Sequence, residues 1–141
     1  LSLYLDTSVL VSALSVEPDS QRIQSWLGGL DSGDAAISDW VVSEFSSAVA
    51  FKLRTGQMTP EDRSTALSAF KQLQRQSLLV LPVERPQFEL AAQFADHYAL
   101  GLRAPDCLHL AVCFMAGRTM CTLDRRVMEA GPVLGVQVLQ P

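Results

Sequence analysis

The sequence predicts an α/β fold: a mainly parallel sheet of about five strands, covered by helices on both faces, in a single domain over residues 1–141. Three observations lead there. Short β-like segments alternate with helical ones. Each β-like segment is apolar on both faces, as strands are when helices cover the two sides of a sheet. No repeat, low-complexity tract or long linker divides the chain, whose length suits one domain.

The elements follow in order. Leu1, Leu3 and Leu5 alternate with Ser2 and Tyr4 in a first strand, Leu1–Leu5. The pattern breaks at Asp6, and Thr7 and Ser8 lead into a helical run. A second strand is read at Ala35–Ile37. Between Asp39 and Ser77 two helices come in succession, joined by the polar stretch "KLRTGQMT", an excursion expected to project from the sheet. The second of them opens on Thr59-Pro60-Glu61-Asp62, an N-cap, a proline in the first turn and an acid at N3. Leu67, Phe70 and Leu73 then recur at helical spacing. A third strand is read at Leu78–Pro82. Pro86 opens a helix with Gly101 near its end, and Pro105 opens another that Gly117 stops. Thr119–Thr122 and Val136–Leu139 complete the sheet. Trp26, Trp40, Phe45 and Phe70 fall in helices, where packing in the core or between subunits is expected rather than base stacking. His97 is expected late in a helix.

Composition bounds the class. A hydrophobic share of 48% against 18% charged residues provides a substantial core. No apolar run approaches the roughly 18–20 residues that span a bilayer, so no membrane partner is expected. No basic region precedes the first apolar residues, so no secretory signal is read, and the missing initiator Met suggests a trimmed start. Cys107, Cys113 and Cys121 cannot all pair, and none forms a C-x-x-C. They are expected as free buried thiols of a cytoplasmic protein. The net charge of −4 argues at first against a nucleic-acid partner. If four acids hold metal ions, however, eleven acidic residues face eleven basic ones and the remaining surface is balanced. All the basic residues but Lys52 and Lys71 are Arg, which suits bidentate phosphate contact.

Ligands of open parallel sheets bind beyond the carboxyl ends of the strands, where the following helices begin. Four acids are expected there. Asp6 ends the first strand, and Asp124, in "CTLDRR", ends the fourth. Asp106 lies in the first turn of its helix, beside Pro105. Glu44 lies about one and a half turns into its own helix, at the edge of the face that packs inward. Taken singly, each has a plain explanation: an N-cap for Asp6 or Asp124, the helix dipole for Asp106, a solvent-facing tilt for Glu44. Taken together, four carboxylates at one end of one sheet repel one another unless a cation neutralises them. Hard oxygens without a Cys or His ligand pattern point to Mg²⁺ or Mn²⁺. Thr7 or Ser8 is expected to cap the next helix while bonding to the ligands, with capping the main role of Ser8. Thr122 alternates onto the strand face of Asp124 and is placed to bond the ligands. His109, one turn beyond Asp106, is read first as a buried histidine bonded to backbone and second as support for the site.

In "LDTSVLVSAL", "SDWVVSEFSSAV", "LRAPDCLHLAVC" and "CTLDRR" the chain resembles the PIN domain, more closely the VapC-type toxins of prokaryotic toxin–antitoxin pairs. Asp6, Glu44, Asp106 and Asp124 are the acids of the four motifs, which cover nearly the whole chain in order. A proline stands before Asp106 where a small residue is usual. The resemblance implies a three-layer α/β/α sandwich, often a homodimer. It implies a Mg²⁺- or Mn²⁺-dependent endoribonuclease, with RNA as substrate and a cognate antitoxin protein as inhibitor. Asp6 and Asp106 are then the principal ligands of one ion, with Glu44 and Asp124 completing the cluster around one ion or two. Arg103, Arg125 and Arg126 near the site are candidates for RNA phosphates, and Lys52 and Arg54, in the loop between the paired helices, for RNA or a partner subunit. Two other readings remain. A catalytically inactive PIN-like module would bind RNA or protein, but loss of motif acids is its usual sign and all four are present. A phospho-acceptor receiver domain needs adjacent acids after its first strand and a late lysine. Here the strand is followed by "DTS", and no lysine lies beyond Lys71.

Overall fold

Leu3, Tyr4 and Leu5 are all buried, because the strand they form, β1 (Leu3–Leu5), is the middle one of five. The computed structural model describes residues 1–141. The other strands are β2 (Ala35–Ser38), β3 (Leu78–Leu81), β4 (Thr119–Cys121) and β5 (Val138–Leu139). Their order across the sheet is β3-β2-β1-β4-β5, and every pairing is parallel. From β1 the chain builds outward through β2 to β3, then returns to the other side of β1 to build β4 and β5. The direction of building therefore reverses between β1 and β4. Their carboxyl ends flank the crevice where open α/β sheets take ligands.

Seven helices flank the sheet: α1 (Thr7–Leu14), α2 (Ser20–Gly28), α3 (Asp39–Arg54), α4 (Pro60–Gln76), α5 (Arg85–Ala95), α6 (Ala104–Met115) and α7 (Arg125–Val133). α1 packs against α2, α3 and α4, while α6 packs against α5 and α7. This is the three-layer α/β fold that the alternation of apolar and amphipathic segments predicts. One hydrophobic cluster runs through it, with Leu5, Leu10, Ile37, Phe45, Leu110 and Met120 wholly buried. Phe45 of α3 meets Phe70 of α4 at 4.2 Å between ring centroids. That contact and the packing of α4 on α1 fold the expected excursion back onto the domain rather than letting it project.

Several boundaries are corrected by hydrogen bonding. α3 runs on to Arg54, so Lys52 and Arg54 sit in its last turn and not in a loop. There their charges face the negative end of the helix dipole. α5 ends at Ala95, and Gly101 (φ 64°) closes a separate 3-10 turn at Tyr98–Leu100. His97 lies in the exposed link between the two, outside any helix. The Val136 amide bonds to the Gly131 carbonyl at the end of α7, which delays β5 to Val138. The Thr59 cap stands as read: its hydroxyl accepts from the Asp62 amide, and the Asp62 carboxylate accepts from the Thr59 amide. Pro105 lies in the first turn of α6, and Gly117 (φ 64°) ends it. The three cysteines are free and buried. No helix is long and apolar enough to cross a membrane.

Candidate functional site

Asp6 leaves β1 at its carboxyl end and starts α1, where it is itself the N-cap. Its Oδ1 accepts from the Ser8 amide at 3.0 Å and from the Ser8 hydroxyl. Its Oδ2 accepts from the Thr122 hydroxyl. Ser8 is thus not a cap. It lies inside the first turn, donates to Asp6 and accepts from the Leu123 amide at 3.0 Å, tying α1 to the loop after β4. Thr122, wholly buried, also accepts from the Asp124 amide at 2.9 Å. Adjacent parallel strands deliver Asp6 and Thr122 side by side, so the Asp6 and Asp124 segments are joined through one hydroxyl. Asp124 caps α7, its Oδ1 accepting from the amides of Arg126 (2.8 Å) and Val127 (3.2 Å). Both aspartates therefore are the helix caps that sequence alone allowed. A carboxylate has more lone pairs than a cap consumes, so capping does not exhaust either one.

Glu44 is the hub of a second group. Its Oε1 accepts from the Thr7 hydroxyl at 2.7 Å and from His109 Nε2. Thr7, at the first position of α1, therefore also bonds an acid instead of capping. On its far side, His109 Nδ1 meets the Tyr4 hydroxyl at 2.9 Å, and that hydroxyl meets Ser38 Oγ at 2.8 Å. The expectation that His109 bonds to backbone is overturned. It links β1, β2, α3 and α6 through side chains alone. The Tyr4 hydroxyl serves either protonation state of the imidazole. It donates to Nδ1 when the ring is neutral, and accepts from Nδ1 while donating to Ser38 when the ring is charged.

Electrostatics distinguishes three of these acids. Burial pushes the Asp6 carboxyl up, against the opposing hydrogen bonds of Ser8 and Thr122. Burial also raises Asp106, and the nearby charge of Asp124 raises it further. For Glu44 burial is again the largest influence and acts upward. The hydrogen bond and charge of His109, with the Thr7 hydroxyl, outweigh it and leave Glu44 below the usual glutamate range. In both Asp6 and Asp106, lost solvation disfavours the ionised form; His109 is the opposing charge that Asp6 feels, and His109 and Arg103 are those that Asp106 feels.

All four acids lie at the carboxyl end of the sheet, around the crevice between β1 and β4. They are not drawn in upon one point. No three His, Cys, Asp or Glu side chains stand close enough to form a ready coordination set. Like charges repel, and each acid except Asp106 is held back by the hydroxyl or amide partners just named. No hydrogen bond uses Glu44 Oε2 or Asp124 Oδ2, which leaves oxygen ligands available at the crevice. Thiolates are not: burial, with the Asp6 charge behind it, pushes Cys121 up to about 12. Burial and the Asp106 charge likewise raise Cys107. The one imidazole is engaged on both nitrogens. The free donor set is hard oxygen, and it fits a hard divalent cation.

The basic candidates divide. Arg103 and Arg126 are exposed beside the site, Arg126 reaching the Gly101 carbonyl at 3.4 Å. Arg125 pairs with Glu129 at 2.9 Å, and Lys52 with Glu17 at 3.0 Å. Tyr4 and Ser38 are the members of the network that sequence reading passed over. Tyr4 looked like an ordinary strand residue, and only the long-range pairing of β1 with β2 and α6 reveals its hydroxyl's partners.

A model of the PIN domain matches residues 3–131. The chain belongs to the PIN domain family. Among curated proteins it is similar to Ribonuclease VapC35 of Mycobacterium tuberculosis, with 26% identity over 99% of this chain and 96% of that protein. Among solved structures it superposes on VapC20 of Mycobacterium tuberculosis, described as a sarcin-ricin loop cleaving toxin. The TM-score is 0.74 and the identity 16%, over 92% of this chain and 95% of the other. It also superposes on VapBC-5 of the same organism, a member of the VapBC family of toxin–antitoxin systems. There the TM-score is 0.63 and the identity 18%, over 100% of both chains. At these identities the structures speak for the fold. The five-stranded parallel sheet of this PIN domain is the architecture they share with it.

Proposed function

We propose that this PIN domain is a divalent-metal-dependent endoribonuclease, the toxin of a VapBC-type pair, held in check by a cognate antitoxin protein. What supports the reading is that Asp6, Glu44, Asp106 and Asp124 lie around the one crevice between β1 and β4, with carboxylate oxygens free of hydrogen bonds and Asp6 and Asp106 desolvated by burial. The similarity to a named ribonuclease along 99% of the chain supports RNA as the substrate. The likeness to a member of the VapBC toxin–antitoxin systems supports the antitoxin.

Asp6 and Asp106 are the principal ligands of Mg²⁺ or Mn²⁺ in this reading, and Glu44 and Asp124 complete the set. The bound ion supplies a water of lowered pKa and neutralises charge on the phosphodiester. The protein's own residues do the rest. Thr122 and Ser8 fix the Asp6 carboxylate. Thr7 and His109 hold the orientation of Glu44 and keep it ionised. Arg103 and Arg126, exposed at the rim, meet the RNA backbone.

A cleavage assay on single-stranded and structured RNA tests this, with Mg²⁺, Mn²⁺ or EDTA. Water attack yields 5′-phosphate and 3′-hydroxyl ends. Cleavage that persists in EDTA, or that leaves 2′,3′-cyclic phosphates, contradicts the mechanism. In cells, expression without an antitoxin stops growth and the Asp106→Ala variant is tolerated.

A further inference from the structure

Along α3, Glu44, Ser47, Ala48, Phe51 and Arg54 are spaced by three and four residues, the period that lines up one face of a helix. With Thr7 and Gln57 they line a groove of about 470 Å³. One end of the groove is the Thr7–Glu44 hydrogen bond, so it is continuous with the carboxylate site. The other end presents an aromatic ring: Phe51 is 51% exposed. The Arg54 guanidinium lies 5.6 Å from the ring's centroid. Lys52 also lines the groove but is engaged by Glu17, whereas Arg54 makes no ion pair.

By residue type the lining is mostly polar or charged, with Ala48 and Phe51 its two apolar members. A docked amphipathic helix needs several apolar anchors along its groove, and this one offers a single ring. An isolated ring with a guanidinium beside it suits a flat, polar-edged ligand that carries a phosphate, which describes a nucleotide of single-stranded RNA. Glu44 and Phe51 are two turns apart, about 10 Å along the helix, a separation that places Phe51 beside a neighbouring nucleotide rather than at the reacting bond. We infer that Phe51, with Arg54, forms a base-stacking subsite that positions single-stranded RNA next to the carboxylate site. The identity of the ligand rests on the ribonuclease reading.

The test measures fluorescence anisotropy of labelled single-stranded oligoribonucleotides at low salt in EDTA, where no cleavage is expected. One base at a time is removed to leave an abasic position. The parent protein is compared with Phe51→Ala and Phe51→Trp. The parent loses roughly tenfold in affinity at one abasic position. Phe51→Ala binds the intact oligonucleotide roughly tenfold more weakly and is indifferent to that position, and Phe51→Trp restores both affinity and sensitivity. Equal binding of every abasic oligonucleotide by the parent overturns the inference. So does a Phe51→Ala protein that matches the parent on RNA and loses affinity only for the antitoxin. Cleavage of the intact oligonucleotide by the parent in Mg²⁺, followed in parallel, judges the ribonuclease reading separately. Cleavage without a Phe51-dependent position removes the subsite alone, and a Phe51-dependent position without cleavage removes the nuclease alone.

Discussion

His109 shows how much of this site is made by contacts that no local pattern encodes. Its spacing from Asp106 is readable in the sequence, yet its partners, Tyr4 and Glu44, are 105 and 65 residues away. The same holds for Thr122, whose bond to Asp6 spans 116 residues. The acids were legible because a carboxylate at a strand end or in a first helical turn is unusual enough to notice. Their partners were legible only in part: spacing set Thr7, Ser8, Thr122 and His109 near the acids without saying which acid each one bonds, and Tyr4 and Ser38 went unread because a Tyr or Ser in a buried strand is ordinary. Removing the imidazole with His109→Ala leaves Glu44 half-buried beside a void, and a urea titration is expected to show a loss of about 2–3 kcal/mol. Asp6 is expected to act in the opposite direction. Burial raises its pKa in the folded chain, so the folded state holds this proton more tightly than the unfolded one. In EDTA its contribution to stability falls as pH rises from the ordinary aspartate value through the raised one, and stays low above it. Asp6→Asn removes that decline. Thermal melts in EDTA should show the variant gaining on the parent from pH 4 to pH 7, and a gap that shrinks with pH would contradict the buried-charge account.

At the scale of elements, helix starts were legible and ends less so. A start is marked by side chains that bond their own neighbours, as Thr59 and Asp62 do. Replacing that cap with Thr59→Ala is expected to cost about 1 kcal/mol, read as a shifted denaturation midpoint with cleavage unchanged. Ends depend on what the last carbonyls find. Lys52 and Arg54 resembled loop residues by polarity, while the backbone of α3 simply continues beneath them. The junction of α7 and β5 was hidden for a steric reason. A side chain at Gly131 would collide with Val138 Cγ2 and press on the Val136 carbonyl at 3.2 Å. The helix can therefore lie on the last strand only with glycine there. Gly131→Ala is expected to destabilise by roughly 1–3 kcal/mol, measured by the same titration. A neutral result would mean that β5 moves freely on α7.

For the whole molecule, the alternation of elements was enough to read a parallel sheet with helices on both faces, but the strand order was not. Nothing local says that the chain returns past β1 to lay down β4, and that return creates the crevice. It brings the ends of β1 and β4 together, adds the first turn of α6 with Asp106 and the inward edge of α3 with Glu44, and gathers negative charge from four distant stretches. These four carboxylates equal the net charge of −4 in size, so a cation bound among them would leave the remaining acidic and basic residues balanced. Titration of the EDTA-stripped and desalted protein with Mn²⁺, followed by electron paramagnetic resonance of the free ion, tests that placement most directly. The account predicts saturable binding by the parent and its loss in Asp106→Asn. A free-ion signal that matches buffer alone, or equal binding by the variant, would contradict it.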